Sequence, residues 1–353
     1  MKRVIMKIFL LLGSALCCAE EEEFKDGARS DIKSLPVMFW NIENYFDPFD
    51  DPLTNDDEFT AAGYRYWSWS RFLKKRDAIA KTILAAGDYY GEYPVLVGLA
   101  EVENAMVLNQ LCRQTALSKL DYKVIHRDSP DRRGIDVGLL YREELFEPLY
   151  VSNIEISLPD TSSRTRSLLY VKGVLAGYDT LHVIVSHWPS KIGGEVASMP
   201  RRMAVAGKIR TICDSIYVCN KLSNIIIMGD FNDTPGSKPL KYLAGSGESQ
   251  LRLFSPVKYS GEIQGTTKYK GMWERIDHFY ISDCLLKRDD KRAFQTIFTD
   301  RKSFYIFSPA FLLENDPTYY GRRPFRTYLG PRYLGGVSDH LPIILMLRLY
   351  VPR

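Results

Sequence analysis

The chain has no run of about 20 apolar residues, the length a helix needs to cross a bilayer. It has no internal repeat and no long low-complexity tract, which excludes solenoids and repeat arrays. No serine lies in a nucleophile elbow, and no glycine-rich loop is placed to cradle a nucleotide. Covalent serine chemistry and P-loop chemistry are therefore poor fits. A large charge excess is missing too. The 47 basic and 43 acidic residues give a net charge of +4, and residues 1–19 hold three of the basic residues and none of the acidic ones. The remainder carries only +1, so any basic footprint for a polyanion must be local. Cysteine is scarce: there are six in 353 residues, two of them within the first 19. The other four, Cys112, Cys213, Cys219 and Cys284, match no zinc-site spacing. One disulfide and buried free thiols both stand open for them.

The start of the chain is a different kind of sequence. Lys2, Arg3 and Lys7 frame the apolar run Ile8–Leu12, followed by small residues and Cys17-Cys18-Ala19, the order of a secretory signal. Cleavage after Ala19 fits, and so does lipidation of Cys17 or Cys18, which the paired cysteines ahead of Glu20–Glu23 favour. A buried N-terminal helix would leave the acidic break after Ala19 unexplained. The expectation is an exported protein, in the periplasm, at the outer membrane surface or outside the cell, with membrane anchoring through an N-terminal lipid as one route. Residues 20–35 read as an acidic leader. No linker-like tract interrupts the rest, so 36–353 reads as one domain.

Within that domain apolar strands and amphipathic helices take turns. Strands are expected at 36–42, 95–100, 122–126, 137–142, 168–175, 181–187, 225–228, 276–282 and 341–349. Helices are expected over 71–86, capped by Ser70 and stopped by Gly87, then over 105–117 and 200–219. Strands outnumber helices, and the helices fall singly between strand groups. The pattern predicts an α+β fold: two mostly antiparallel sheets packed face to face with outer helices, a four-layer α/β/β/α sandwich.

Polar residues gather where strands end. Asn41 ends the first strand, Glu101 the second, His187 closes "LHVIVSH", Asp230 and Asn232 close "IIIMGDFN", and Asp339-His340 opens the last strand in "GGVSDHLPI". Glu103 reads as a neighbouring surface acid. Loops at the end of a rigid scaffold carry function, and this repetition points to one shared site. Carboxylates and amides are hard oxygen ligands suited to magnesium or manganese, and two histidines supply a base or acid near neutral pH. Metal, histidine and carboxylate without a covalent nucleophile fit water attacking a phosphate ester.

In order, "NIEN", "GLAEVEN", "SHWPS", "GDFND", "RIDHFYIS" and "SDHLP" resemble the endonuclease/exonuclease/phosphatase superfamily, which includes the pancreatic-type deoxyribonucleases and exonuclease III. "DDEFTAAGYRYWSWSRFLKKRDAIAK", "DSPDRRGIDVGLLYR" and "HWPSKIGGE" resemble its exported bacterial endonuclease-like branch. The resemblance covers about residues 36–349. It implies a phosphodiesterase using Mg2+ or Mn2+, most simply a nuclease with DNA favoured over RNA. Phospholipid head groups, inositol phosphates and other small phosphoesters are the rival substrates, and a catalytically silent surface binding protein is the non-enzyme rival. The implied metal-side residues are Asn41, Glu101 and Asp339. His187 is implied to contact a phosphate oxygen, Asp230 and Asn232 to orient water and phosphate, and His340 to act as general base with Asp277 hydrogen-bonded to it. Where several nucleases carry a tyrosine, this chain has Arg133-Gly134-Ile135-Asp136. Arg133 is expected to clamp phosphate and Asp136 to orient His187.

Lys191, Arg201 and Arg202 follow His187, and "GRRPFRTYLGPRY" brings Arg322, Arg323, Arg326 and Arg332 with aromatics ahead of Asp339. Lys191 and Arg326 are expected to touch substrate. Trp67 and Trp69 read as base-stacking or packing residues. "FDPFDDPLTNDDEF" lacks EF-hand spacing and reads as a solvated acidic loop more readily than a calcium site. Asp233 is expected to face away with Phe231 or to begin the turn that follows.

Overall fold

The computed structural model describes residues 31–160, 163–245, 252–255, 263–286 and 296–351. The expected signal segment 1–19 and residues 20–30 of the acidic leader lie outside the described residues. Residues 31–35 already belong to the first strand, β1 (Asp31–Tyr45). There follow α1 (Trp69–Tyr90), β2 (Leu96–Val102), α2 (Ala105–Arg113), β3 (Tyr122–His126), β4 (Asp136–Arg142) and β5 (Phe146–Ile154). Next come β6 (Leu168–Leu175), β7 (Asp179–His187), α3 (Glu195–Cys219), β8 (Asn224–Asp230), α4 (Lys238–Ala244) and β9 (Leu253–Phe254). The remainder comprises β10 (Thr267–Tyr269), β11 (Met272–Glu274), β12 (Asp277–Ser282), β13 (Ile297–Phe298), β14 (Phe304–Ile306), β15 (Leu313–Asn315), β16 (Arg322–Pro324), β17 (Tyr328–Leu329), β18 (Arg332–Tyr333) and β19 (Ile343–Val351).

Two large sheets form. The first runs β13-β19-β1-β2-β4-β3, with β14 also on β19; the second runs β5-β6-β7-β8-β12-β9. Their pairs are antiparallel except β1–β2 and β7–β8. Alternation along the strands sorts side chains into layers. Val37 and Phe39 of β1, Val183 and Val185 of β7, and Ile226 and Met228 of β8 fill the space between the sheets. Met38, Trp40 and Ile42 turn outward to meet Phe72, Ile79 and Ile83 of α1 and Leu108 and Leu111 of α2. On the far side Ile225 and Ile227 meet Val205, Ala206 and Ile209 of α3 and Leu240 and Leu243 of α4. This is the expected four-layer sandwich. Among the described residues no helix is long and apolar enough to cross a membrane.

Element ends depart from the sequence reading for local reasons. Ser68, not Ser70, caps α1, accepting from the Arg71 N–H. Gly87 does not stop that helix. A Cβ there would lie 2.0 Å from the Tyr93 ring, so this glycine permits close packing, and Gly91 at φ 80° makes the left-handed exit. α3 starts five residues before Pro200, its first turns held by Arg202, which donates to Ser198 Oγ and to the Glu195 carbonyl. β5 escapes the sequence pattern because it is an edge strand, mostly half-buried and interrupted by a register shift after Pro148. Among the described residues no disulfide forms, and Cys112 and Cys213 are buried thiols.

Candidate active site

Regular alternation assembles half of the site. Two residues beyond Phe39, Val185 and Met228, on the same inter-sheet faces, stand Asn41, His187 and Asp230; two residues before Phe279 stands Asp277. In the β7–β8 pair His187 lies opposite Asp230, and in the β8–β12 pair Asp277 lies opposite Asp230. The site is where the inter-sheet core gives way to polar groups. Phe231 points the other way and stacks on Trp188 at 4.6 Å. Asp233 is buried, its carboxylate accepting from Arg202 Nε at 3.0 Å.

Irregular backbone assembles the other half. By alternation Glu101 should face outward with Val97 and Leu99. A register shift between Ala100 and Val102 and a left-handed φ of 60° at Glu101 turn it to the rim instead. Glu43, Asn44 and Asn232 are left-handed too, with φ of 49°, 53° and 49°. Such conformations cost on the order of 1–3 kcal/mol each and persist where surrounding contacts over-determine them. Here the Asn44 N–H donates to Glu101 Oε2 at 2.8 Å, and the Asn232 N–H donates to Asp230 Oδ1 at 2.9 Å.

The centre is a chain of close polar contacts. His340 Nδ1 lies 2.8 Å from Asp277 Oδ2, and its Nε2 lies 3.9 Å from Asp230 Oδ2. Burial works against a charge on His340, but Asp277 and Asp230 outweigh it and hold the imidazole well above its usual range. Asn41 donates from Nδ2 to Asp230 Oδ2 at 3.0 Å and to Glu101 Oε1 at 3.3 Å, while its oxygen accepts from the Glu43 N–H. In this arrangement Asn41 joins two acids through its amide nitrogen, beside the carboxylates expected to hold the metal. His187 Nε2 is 3.5 Å from Asp230 Oδ2, and its buried Nδ1 has no hydrogen-bond partner among the described residues. Burial first, then Arg166 and Arg133, pushes His187 well below the usual range, so it stays neutral. Asn232 Nδ2 donates to the Trp188 carbonyl at 3.0 Å, which ties down the turn carrying His187.

A second network, mostly absent from the sequence reading, supports the acid side. Glu43 accepts from Arg326 Nη2 at 3.1 Å and from the Thr327 N–H at 2.7 Å. Arg326 Nη2 also meets Asp339 Oδ2 at 3.0 Å, so this arginine sits across two acids at the rim. Lys75, fully buried in α1, donates to the Glu43 carbonyl, to Thr327 Oγ1 at 2.6 Å and to the Val337 carbonyl at 2.9 Å. Burial lowers it to about 8 against the pull of Glu43. The overlooked signal was a lysine on the apolar stripe of Phe72, Ile79 and Ile83. Arg166 was also missed; it donates to Asp131 and to the Trp188 carbonyl.

Other placements differ from expectation. Asp136 does not orient His187. Its Oδ2 lies 3.4 Å from His126 Nε2, and its Oδ1 accepts from the Ser129 N–H. Arg202 is fully buried on Asp233, out of reach of a phosphate, because an unpaired guanidinium would be costly there. Lys191 lies 3.8 Å from both Glu195 and Asp233. Arg133 reaches Asn44 Oδ1 at the rim. Glu103 is buried, not a surface acid, and burial raises it to about 9. Trp67 is core, with its indole N–H on the Phe46 carbonyl, whereas Trp69 is 41% exposed. The acidic loop is only partly solvated, since Asp47 and Asp56 are buried.

The rim fits a divalent cation on its donor chemistry. Glu101 and Asp339 offer carboxylate oxygens beside Asp230, as magnesium and manganese require. Burial, then Asp339, raises Glu43 to about 7. Burial, aided by Asp277 and opposed by His340, raises Asp230 to about 7. Acids crowded until they hold protons near neutrality are a place where a cation substitutes for protons.

The profile described as "Endonuclease/Exonuclease/phosphatase family" matches residues 36–349. No curated protein matches the chain. Among solved structures, an endonuclease/exonuclease/phosphatase family protein from Bacteroides thetaiotaomicron is similar at 16% identity and a TM-score of 0.55, over 91% of this chain and 96% of its own. The human nocturnin catalytic domain with bound sulfate is similar at 18% identity and 0.51, over 90% and 97%. D. rerio TDP2 complexed with single-strand DNA product is similar at 15% identity and 0.51, over 89% and 99%. At these identities the likeness is one of fold.

Proposed function

The chain belongs to the endonuclease/exonuclease/phosphatase family and is a metal-dependent phosphoric ester hydrolase, and from that premise we propose that it is a nuclease, with DNA its favoured substrate, acting outside the cytoplasm. The observation that carries the reading is the Asp277–His340–Asp230 chain at the rim. Asp277 fixes one imidazole nitrogen, so the other faces the space beside Asp230; the flanking acids favour the protonated ring, and it is the deprotonated ring that takes the proton of an attacking water. Asp230 orients that water. Neutral His187 offers an N–H to a phosphate oxygen, and Arg133 and Arg326 supply positive charge at the rim. A magnesium or manganese ion held by Glu101 and Asp339 would supply positive charge against the phosphate oxygens.

Nucleic acid is favoured as substrate because a relative of the same fold is seen with a single-strand DNA product. The basic, apolar, small-residue order of residues 1–19 supports export, with Cys17 or Cys18 as the site of a lipid anchor. The purified chain, given plasmid DNA, RNA, sphingomyelin and phosphoinositides with magnesium, is expected to nick the plasmid, and chelator is expected to stop it. Cleavage of lipid with intact plasmid would overturn the substrate. Equal nicking by His340→Ala would overturn the site.

A further inference from the structure

Asp136, displaced from the active site, belongs to another constellation. His126 at the end of β3, Asp128 just beyond it and Asp136 at the start of β4 each present one ligand atom, all within 4.8 Å of one another. We propose that these three residues form a second metal site, for a transition ion of the zinc class, which pins the loop between β3 and β4 beside the active site.

Three observations carry this. His126 is 7% exposed, and its Nε2 is buried with no hydrogen-bond partner among the described residues, a costly state for an imidazole unless something occupies the space it faces. Its separation from Asp136 Oδ2 is 3.4 Å, longer than a hydrogen bond and unlike the 2.8 Å contact between His340 and Asp277. Two ligands each about 2.1 Å from a tetrahedral ion stand about 3.4 Å apart. Asp136 is itself oriented by the Ser129 N–H on its other oxygen, the arrangement expected of a carboxylate ligand with outer support. Asp128 is on the surface, its side chain 90% exposed and its Oδ1 3.8 Å from the other ring nitrogen, Nδ1, so it must swing to share an ion on Nε2 with Asp136 and leaves the site open to solvent. One imidazole with two carboxylates suits zinc and its neighbours better than magnesium, which prefers oxygen alone.

The loop so closed carries two groups that serve the active site. Arg133 reaches Asn44 next to Glu101, and Asp131 receives Arg166, which holds the Trp188 carbonyl beside His187. The ion would act on catalysis by fixing these residues.

The test uses the full chain, stripped with chelator and returned to magnesium buffer. Crystals soaked in zinc chloride are measured on both sides of the zinc absorption edge. An anomalous peak about 2.0–2.2 Å from His126 Nε2 is expected. Solution titration with zinc alone should show a site whose dissociation constant rises at least 10-fold in Asp128→Asn and which is lost in His126→Ala. Asp128 is exposed, so Asp128→Asn decides the matter if His126→Ala does not fold. A zinc peak confined to Glu101 and Asp339, or equal zinc affinity in wild type and Asp128→Asn, would overturn the proposal.

Discussion

The two sheets bring different chemistry to one rim, and they do it by different means. From the sheet of β7, β8 and β12 come His187, Asp230 and Asp277, placed by unbroken alternation and register. From the sheet of β1, β2 and β19 come Glu43 and Glu101, placed by left-handed backbone and, at Glu101, a register shift, with Asp339 from the loop ahead of β19; Lys75 and Arg326 balance them. His340, just before β19, crosses from the second group to bind Asp277 of the first. The regular half handles protons, so it needs fixed angles between rings and carboxylates. The irregular half gathers oxygen ligands that alternation would leave on opposite faces. The comparison separates two kinds of failure: loss of turnover at normal metal affinity, and loss of metal affinity or of fold.

The largest expected effect tests the proton half. His340→Ala should lower kcat by about 10²–10⁴-fold, the usual worth of a positioned general base. Its magnesium requirement should hardly move. Steady-state rates across a magnesium titration check both, and a parallel shift in metal requirement would erase the distinction between the halves. Asp277→Asn should reproduce part of the loss, because His340 then loses the carboxylate that holds its proton affinity up.

On the acid side the corresponding break is Lys75→Met. It leaves Thr327 Oγ1 and the Glu43 carbonyl without the lysine donor, the Val337 carbonyl with Thr327 Oγ1 alone, and Glu43 without its buried cation. Urea unfolding should report a loss of about 3 kcal/mol, the scale for breaking a buried charged network by removing one partner. A milder change, Glu101→Gln, keeps shape and removes charge. It should raise the magnesium concentration for half-activity by about 10-fold or more, with a smaller effect on kcat at saturation than His340→Ala. A change in kcat alone would place Glu101 in the proton half.

The same contrast explains what could be read in the sequence. Strand periodicity gave the two sheets and their outer helices, since buried alternation is a strong signal. Asp230 and His187 were legible because they continue that alternation to the end of a strand. Glu101 was legible as a polar residue at a strand end although its parity points outward, and Asp277 only through its motif. Glu43 and Lys75 were missed: both are buried by contacts with residues some 250–280 positions away, and no local pattern encodes those contacts. Asp136 was assigned to His187 although its partner is His126, at the neighbouring strand's end across the sheet. A lone acid before a strand does not reveal which histidine it will meet.

The smallest predicted effect concerns an acid beside the irregular half. Glu103 accepts from the Asp47 N–H at 2.6 Å, and burial holds its carboxyl up at about 9 from an ordinary 4.5, with Asp47 adding to the rise and the hydrogen bond opposing it. A folded-state pKa above the unfolded one means that the protonated form is the one folding favours. Its contribution is fully present below about pH 4.5 and is lost as pH rises through about 9. Glu103→Gln keeps an oxygen for the Asp47 N–H and removes the titration. The melting temperature of Glu103→Gln minus that of wild type, in chelator, should therefore increase steadily from pH 5 to pH 9. A difference that stays flat with pH would mean that Glu103 is ionised in the folded protein throughout, and the crowding of acids on this side of the rim would then be relieved by solvent and not by protons.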